Sequence, residues 1–367
     1  MEPKRLLCFV SSMDAGGAET FLMKVYRVID KNKYQFDFVV NSQNEGFYDK
    51  EIYKLGGKIF YVPAKSANIF EFAYKVYKIV KINKYKYCLR MSSHSFGAID
   101  LLIAKLAGAR QLVLRSTNAG NIGGVFNMLL DKIFFWLPIC VPTVKIAPST
   151  EAAEFVFGKN STKNRKVEIL KNAIPIESYK FDIEKRNGIR KELRLDNKLV
   201  VGHIGRFNVQ KNHKFLVEVF KEVVDFNDDS ILLLVGEGEL EKDIQRQIKN
   251  LGLNKKVIFA GIRKDVPSLL MAMDVMVFPS FFEGMPNVII EAQATGLPCV
   301  LSNKITKEVE ITDNVTFLPL EANRYEWSKI VLNKKNTSRE TYIEHVKCAG
   351  YDIQDISKQF EELVFKS

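Results

Sequence analysis

The chain has 367 residues, 47% hydrophobic and 26% charged, with a formal net charge of +11; that length accommodates two domains of ordinary size, each with its own core. Residues 1–171 hold 26 Lys+Arg against 14 Asp+Glu, and residues 172–367 hold 28 against 29, so the whole excess lies in the first half. A generally lysine-rich composition explains the count but not the asymmetry, which points to an anionic partner for the first half: a phosphorylated acceptor, an acidic membrane face or nucleic acid. Cys8, Cys88, Cys140, Cys299 and Cys348 are far apart with no C-x-x-C pair, which excludes a metal cluster or disulfide framework and reads as small core residues in a reducing compartment.

The first apolar strand, Leu6–Val10, is too brief for a signal-peptide core. It leads into Ser11–Glu19, where Gly16 and Gly17 let backbone N–H groups approach a phosphate at a helix start. Strands then follow at Phe36–Val40, Lys58–Val62, Tyr87–Met91, Gln111–Leu114 and Val144–Ala147, with helices at 18–30, 68–84, 96–107 and 122–137. This alternation is that of a doubly wound parallel sheet.

Two helices in the basic half bear on a partner. Residues 69–84 set Lys75, Lys78, Lys81 and Lys84 at helical spacing among Phe72, Tyr74 and Tyr77, suiting an anionic membrane surface as well as an ordinary sheet-covering helix. Residues 125–137, with Phe126, Leu129, Leu130, Ile133, Phe134, Trp136 and Leu137, offer an apolar groove for a lipid chain or, again, a sheet-covering face. The stretch Ile122–Val144 is the most apolar, but Asp131, Lys132, Pro138 and Pro142 break it, so no segment spans a bilayer. A cytoplasmic protein, peripheral on the inner face of the plasma membrane, is expected.

A polar segment at 172–197 reads as a linker between the domain 1–171 and a second series of strands within 198–350. That series runs Leu199–Ile204, Ile231–Val235, Val257–Phe259, Val275–Phe278 and Cys299–Leu301. Arg206 and Lys211 follow its first strand, where a fork-shaped and a point cation can meet one diphosphate. Gly236 and then Gly261 and Ile262 follow the next two strands as walls of a nucleotide base pocket. His203, His213 and His345 read as structural, the last two on helix surfaces; His94, after the fourth strand, is the histidine considered for catalysis.

Residues 278–300 carry the strongest signal. Glu283 lies in a loop punctuated by Gly284, Met285, Pro286 and Asn287, and Glu291 lies about one turn inside the following helix. Asn287 as N-cap turns free N–H groups and the positive helix end into the loop, a ready anion site that the two carboxylates flank without neutralising it. Both are placed to bind hydroxyls on either side of a diphosphate.

The Glu-x7-Glu spacing, with Pro-Ser-x-x-Glu-Gly and Glu-Ala-x-Ala-x-Gly-x-Pro around it, resembles the signature of retaining GT-B glycosyltransferases of family four, and most closely their capsular and exopolysaccharide branch. The resemblance implies two Rossmann-like domains facing across a cleft, with a last helix at 351–367 crossing back to the first domain. It implies Glu283 on the donor sugar, Glu291 on the nucleotide ribose, Arg206 and Lys211 on the diphosphate, and the Gly-Gly-Ala-Glu segment on the diphosphate side. Family members commonly carry a His after the fifth strand; here Arg115, Ser116, Thr117 and Asn118 stand there, so Arg115, Thr117 or Asn118, or His94 from the neighbouring loop, are the first-domain candidates.

The expected reaction is transfer from a nucleotide-diphosphate sugar, a UDP-sugar by resemblance, to a polyprenyl-diphosphate-linked glycan with retention, using no metal and no cofactor. Arg206, Lys211 and Glu283 are its expected catalytic residues. An epimerase on the same scaffold and a membrane-associated scaffold without catalysis are the alternatives. Nucleic acid is not an expected partner, since no recognition helix or aromatic sheet motif is present.

Overall fold

The computed structural model describes residues 2–14, 16–42, 44–117, 130–164, 166–334 and 339–366. Two compact units emerge, Met1–Ile174 with Tyr351–Ser367, and Pro175–Gly350.

The first unit holds β1 (Lys4–Phe9), β2 (Tyr34–Val40), β3 (Ile59–Tyr61), β4 (Tyr87–Met91), β5 (Gln111–Arg115), β6 (Val144–Ala147) and β7 (Glu168–Ile169). They pair in parallel in the order β3-β2-β1-β4-β5-β6-β7, so the order reverses between β1 and β4. Leu6, Leu7, Cys8 and Phe9 are all buried, as a strand covered on both faces requires. One face packs against the helices Gly17–Val28 and Ile353–Phe365 through Phe21, Tyr26, Phe36 and Phe360. The other packs against Ile69–Ile82, Ile99–Leu106 and Thr150–Phe157 through Phe72, Val76, Leu101 and Phe157. The C-terminal helix is thus part of the first unit, where the Phe21 and Phe360 rings meet edge to face at 6.3 Å.

The second unit holds β8 (Leu199–Ile204), β9 (Ser230–Val235), β10 (Val257–Phe259), β11 (Val275–Phe278), β12 (Cys299–Ser302) and β13 (Val315–Leu318). All pairs are parallel, in the order β10-β9-β8-β11-β12-β13, with the reversal between β8 and β11. Each unit therefore has the topological switch point at which doubly wound sheets bind ligands.

The fold departs from expectation in four places. Residues 175–197, expected within a linker, form the helices Ile176–Tyr179 and Ile183–Glu192 of the second unit. Asp182 caps the longer one by accepting from the N–H groups of Glu184 and Lys185, and Arg186 and Arg190 bind the buried Asp274 at 2.5 and 3.2 Å. A sequence rich in charge here is a clamp rather than a spacer. The edge strands β7, two exposed residues, and β13, Val-Thr-Phe-Leu, are additional to the expected strands. His213, expected on a helix surface, is buried against Phe207 at 4.3 Å and against the ring of His203 at 4.6 Å. Cys8, Cys88 and Cys299 are core residues, but Cys140 and Cys348 are exposed.

Among the described residues no helix is long and apolar enough to cross a membrane. Of the expected 122–137 helix, residues up to Leu129, including Phe126, lie outside the described residues.

Candidate functional site

In the second unit, the loops at the carboxyl ends of β8, β9 and β10 are joined by main-chain hydrogen bonds. Gly205 N donates to Val235 O at 2.9 Å, Phe207 N to Glu237 O at 3.0 Å and Gly236 N to Gly261 O at 2.9 Å. Gly236 has φ 132°, and a Cβ there would lie 2.3 Å from Gly205 O, so this close approach admits only glycine. Ile262 is exposed beside this seam.

Downstream of β8, the Asn208 side chain accepts from Lys211 N at 3.1 Å and closes the turn Val209–Lys211. Asn212 takes the left-handed conformation, φ 54°, and donates to Pro279 O at 3.2 Å. Gln210 exchanges hydrogen bonds with the Phe281 N–H and the Phe282 carbonyl, both at 2.9 Å. These bonds fix the Lys211 ammonium 4.6 Å from the Phe278 ring centre and 2.6 Å from Glu283 Oε1. Glu283 was expected to flank an anion site without neutralising it; the structure pairs it with Lys211 instead. Arg206 is exposed, its Nε 3.4 Å from Glu239.

The helix Asn287–Ala294 begins just beyond. Its N-cap is Pro286, and Asn287, expected as the cap, is the first helical residue and makes no capping bond. A proline N-cap has no side-chain acceptor to offer, so the first N–H groups are not capped from the side chain. Asn287 Oδ1 is buried without a partner, as is the Ser280 hydroxyl. Gly284 and Met285 are half-buried between Glu283 and this helix start. Glu291 is buried. Burial first, then the Glu291 charge, keeps the Tyr179 proton far more firmly held than in water. No sequence signal pointed to Tyr179, which lay in the segment read as a linker.

His203 Nδ1–H donates to Val277 O at 2.9 Å, and burial drives the ring's basicity well down. Burial, then Lys211, lowers His213 to about 4. Both are neutral supports beneath the Lys211 turn.

In the first unit, the helix Gly17–Val28 starts without a side-chain cap at Gly16. The Glu19 carboxylate lies over that glycine, with Oε2 2.4 Å from where a Cβ would stand, and burial raises its pKa. The Gly16–Gly17 turn therefore already carries an anionic side chain of its own. His94 Nδ1 is 2.8 Å from Asp131 Oδ2, and Asp131 Oδ1 accepts from Ser95 N at 2.6 Å. Ser93, Ser95, Asp131 and Lys132 line one part of a cavity of about 370 Å³ whose other walls include Phe135, Ile139, Phe155 and Phe157.

Arg115, expected to face a ligand, is instead 2% exposed. It donates to Leu170 O at 3.2 Å and Asn172 Oδ1 at 2.8 Å and lies 3.8 Å from the Phe21 ring centre. Burial lowers its pKa to about 9. A guanidinium so enclosed braces β5 against the segment after β7. Thr117 is half-buried at the last described position of this loop, and Asn118 lies outside the described residues.

Residues 198–325 match the family model "Glycosyl transferases group 1". EpsF of Bacillus subtilis (strain 168), named as a glycosyltransferase, is 33% identical over 365 residues, covering 96% of this chain and 94% of its own. An Escherichia coli UDP-Gal:alpha-D-GlcNAc-diphosphoundecaprenol alpha-1,3-galactosyltransferase is 31% identical over 258 residues, covering 67% and 66%. Among solved structures, Anabaena Alr3699/HepE in complex with UDP and glucose superposes with a TM-score of 0.80 at 21% identity, covering 99% of each chain. Two Rossmann-like parallel sheets with this matched segment in the second define the GT-B class. The chain belongs to the group 1, or family four, glycosyltransferases.

Proposed function

We propose that the protein transfers a sugar, with retention, from a UDP-sugar to a polyprenyl-diphosphate-linked glycan in capsule or exopolysaccharide synthesis. The observation that carries this reading is the contact of Lys211 with Glu283 at 2.6 Å, beside the side-chain-uncapped start of the helix that bears Glu291. In the reading, the donor diphosphate takes Glu283's place as the main partner of Lys211, and the released carboxylate turns to the sugar hydroxyls. The exposed Arg206 closes on the same phosphates, and Gly236, Gly261 and Ile262 line the base. Lys211, Arg206 and the helix-start N–H groups oppose the charge that grows on the leaving diphosphate, a role that needs no cation from solution. Attack from the departing face gives retention.

The E. coli relative's name supplies the precedent for both a UDP-sugar and an undecaprenol-linked acceptor, and the Anabaena structure, a complex with UDP and glucose, agrees on UDP. The lipid acceptor and an anionic inner membrane face suit the basic first half. They also suit the exposed Phe70, Tyr74 and Tyr77 on the lysine-bearing helix Ile69–Ile82, whose Phe72, Val76 and Val80 face the core.

The test is nucleotide release from a panel of UDP-, GDP- and TDP-sugars, with and without extracted polyprenyl-linked glycans, for the wild type, Glu291→Ala and Arg206→Ala. Acceptor-dependent release of UDP alone, lost in both variants, is expected. Release from no donor in the presence of lipid acceptors would overturn a transferase in favour of a scaffold.

A further inference from the structure

The Lys211 and Glu283 side chains are enclosed, 16% and 10% exposed. A carboxylate in such a place is costly to leave unpaired. When a diphosphate takes over Lys211, Glu283 must therefore find new donors within its own reach, and that reach is set by where its main chain stands.

The segment 279–283 is tied along its length. Asn212 Nδ2 donates to Pro279 O at 3.2 Å, Phe281 N to Gln210 O at 2.9 Å and Gln210 Nε2 to Phe282 O at 2.9 Å. Glu283 itself forms a parallel bridge with Ile305. The opposing turn is held too, by the Asn208 Oδ1 bond to Lys211 N at 3.1 Å and by Asn212 at φ 54°, a conformation asparagine tolerates. The acceptors in the Asn212 and Gln210 ties are main-chain carbonyls, which an anion, itself an acceptor, cannot replace. The donors are neutral amides, which attract a diphosphate less than an ammonium does. Of these ties, the ammonium–carboxylate pair is thus the one a donor breaks, and the amide ties outlast it. The Phe282 carbonyl belongs to the planar peptide unit that ends on Glu283 N, so the Gln210 amide sets the plane from which the Glu283 side chain departs.

Resting on the reading of Glu283 as the partner of the donor sugar, we infer that Gln210 is a positioning residue. Its side-chain amide holds the Phe282–Glu283 peptide in register while the Glu283 carboxylate passes from Lys211 to the sugar.

The experiment uses the full chain as wild type, Gln210→Met, Glu283→Gln and the double variant, with thermal unfolding of each as the folding control. Methionine keeps the length of the side chain and removes its N–H donor. UDP binding is measured by calorimetry, hydrogen exchange over 279–284 with and without saturating UDP, and acceptor-dependent turnover with each UDP-sugar. Gln210→Met should hold UDP affinity within about twofold, because the diphosphate meets Lys211 and not this committed amide, and should lower kcat/KM for the donor about 3- to 10-fold. It should add nothing in the Glu283→Gln background. Exchange over 279–284 should be unmoved by UDP in the wild type and quickened about tenfold by UDP in Gln210→Met, where the pair that UDP breaks no longer has the amide behind it. Equal weakening of UDP and donor, or exchange in Gln210→Met that ignores UDP, would assign the amide to general packing and overturn the inference alone. Wild-type exchange that quickens with UDP would overturn it as well, since the loop would not be held. A Glu283→Gln variant with full kcat/KM would overturn the sugar reading of Glu283, and absence of UDP binding to the wild type would overturn the donor reading beneath both.

Discussion

The two units share one plan, a parallel sheet reversing beside its first strand, yet they commit the charged groups at their strand ends differently. In the second, Lys211 and Glu283 meet at a half-buried surface beside an open helix start. In the first, Arg115 is sealed inside. Lys65 and Arg90 are spent on the buried Asp100 at 2.5 and 3.3 Å, and Glu19 covers the glycine turn. Charged groups near strand ends are left at a half-buried surface in one unit and used for internal bracing in the other. The cations are similarly enclosed in both; the carboxylate differs, Asp100 being fully buried and Glu283 still reaching the surface.

The contrast can be broken most forcefully where the second unit uses bracing of its own. Asp274 accepts from Arg186, Arg190 and the Val200 N–H, so Asp274→Ala strands two guanidinium groups. A loss of about 3–5 kcal/mol is expected in urea unfolding, confined to fluorescence or exchange probes in the second unit. Equal loss in both units would show that they do not fold as separate cores. Next in size, Lys211→Met should lower acceptor-dependent nucleotide release by about 10²- to 10³-fold, while Arg115→Met should reduce the thermal midpoint with its remaining folded fraction still turning over. A Lys211→Met enzyme as active as an exposed-lysine control such as Lys242→Ala would remove the distinction between the units.

Acid tests the same contrast. His213 titrates near 4 in the fold against an ordinary value near 6.5, because the folded unit holds it neutral. The unfolded chain binds the extra proton first, so this contribution is full above about 6.5 and is lost as pH falls toward 4. At full loss it is on the order of 3 kcal/mol, with His203 acting in the same direction. Stability of the second unit should therefore fall steeply between pH 6.5 and 4 in wild type and less steeply in His213→Gln; parallel curves would refute it.

Much of this was legible in sequence where one local rule sufficed. Tyr87–Met91, Val144–Ala147, Leu199–Ile204, Val257–Phe259 and Val275–Phe278 coincide with β4, β6, β8, β10 and β11, because parallel strands covered by helices read as short, largely apolar runs bounded by turns, even at the edge position of β10. Glu283, Lys211 and Glu291 were legible as candidates because glycine, proline and asparagine mark the loops around them. Tyr179 was not, since its partner is remote in sequence and its own neighbours are polar. Arg115 was misread because a strand-end arginine looks the same in sequence whether it faces a ligand or a phenylalanine ring. Asn287 looked like a cap, but Pro286 occupies that position and the Asn287 Oδ1 is left buried without a partner.

The smallest expected effect asks whether the first unit retains any ligand chemistry at all. Among the described residues, His94 and Asp131 form a partly exposed titratable pair near its strand ends, with the Ser95 N–H orienting the carboxylate. The apolar cavity next to Asp131 offers room for a chain attached to a polar head. Asp131→Asn keeps an oxygen for the Ser95 N–H but removes the charge facing His94. If this pair meets the acceptor, the variant should raise the KM for lipid-linked acceptor about tenfold, the effect of one charge-assisted hydrogen bond, and leave UDP affinity unchanged. A change in UDP affinity with acceptor KM untouched would assign the pair to the donor instead. No change in either would make the first unit's strand ends wholly structural and leave the apolar wall of Phe135, Ile139 and Phe155 to account for acceptor binding.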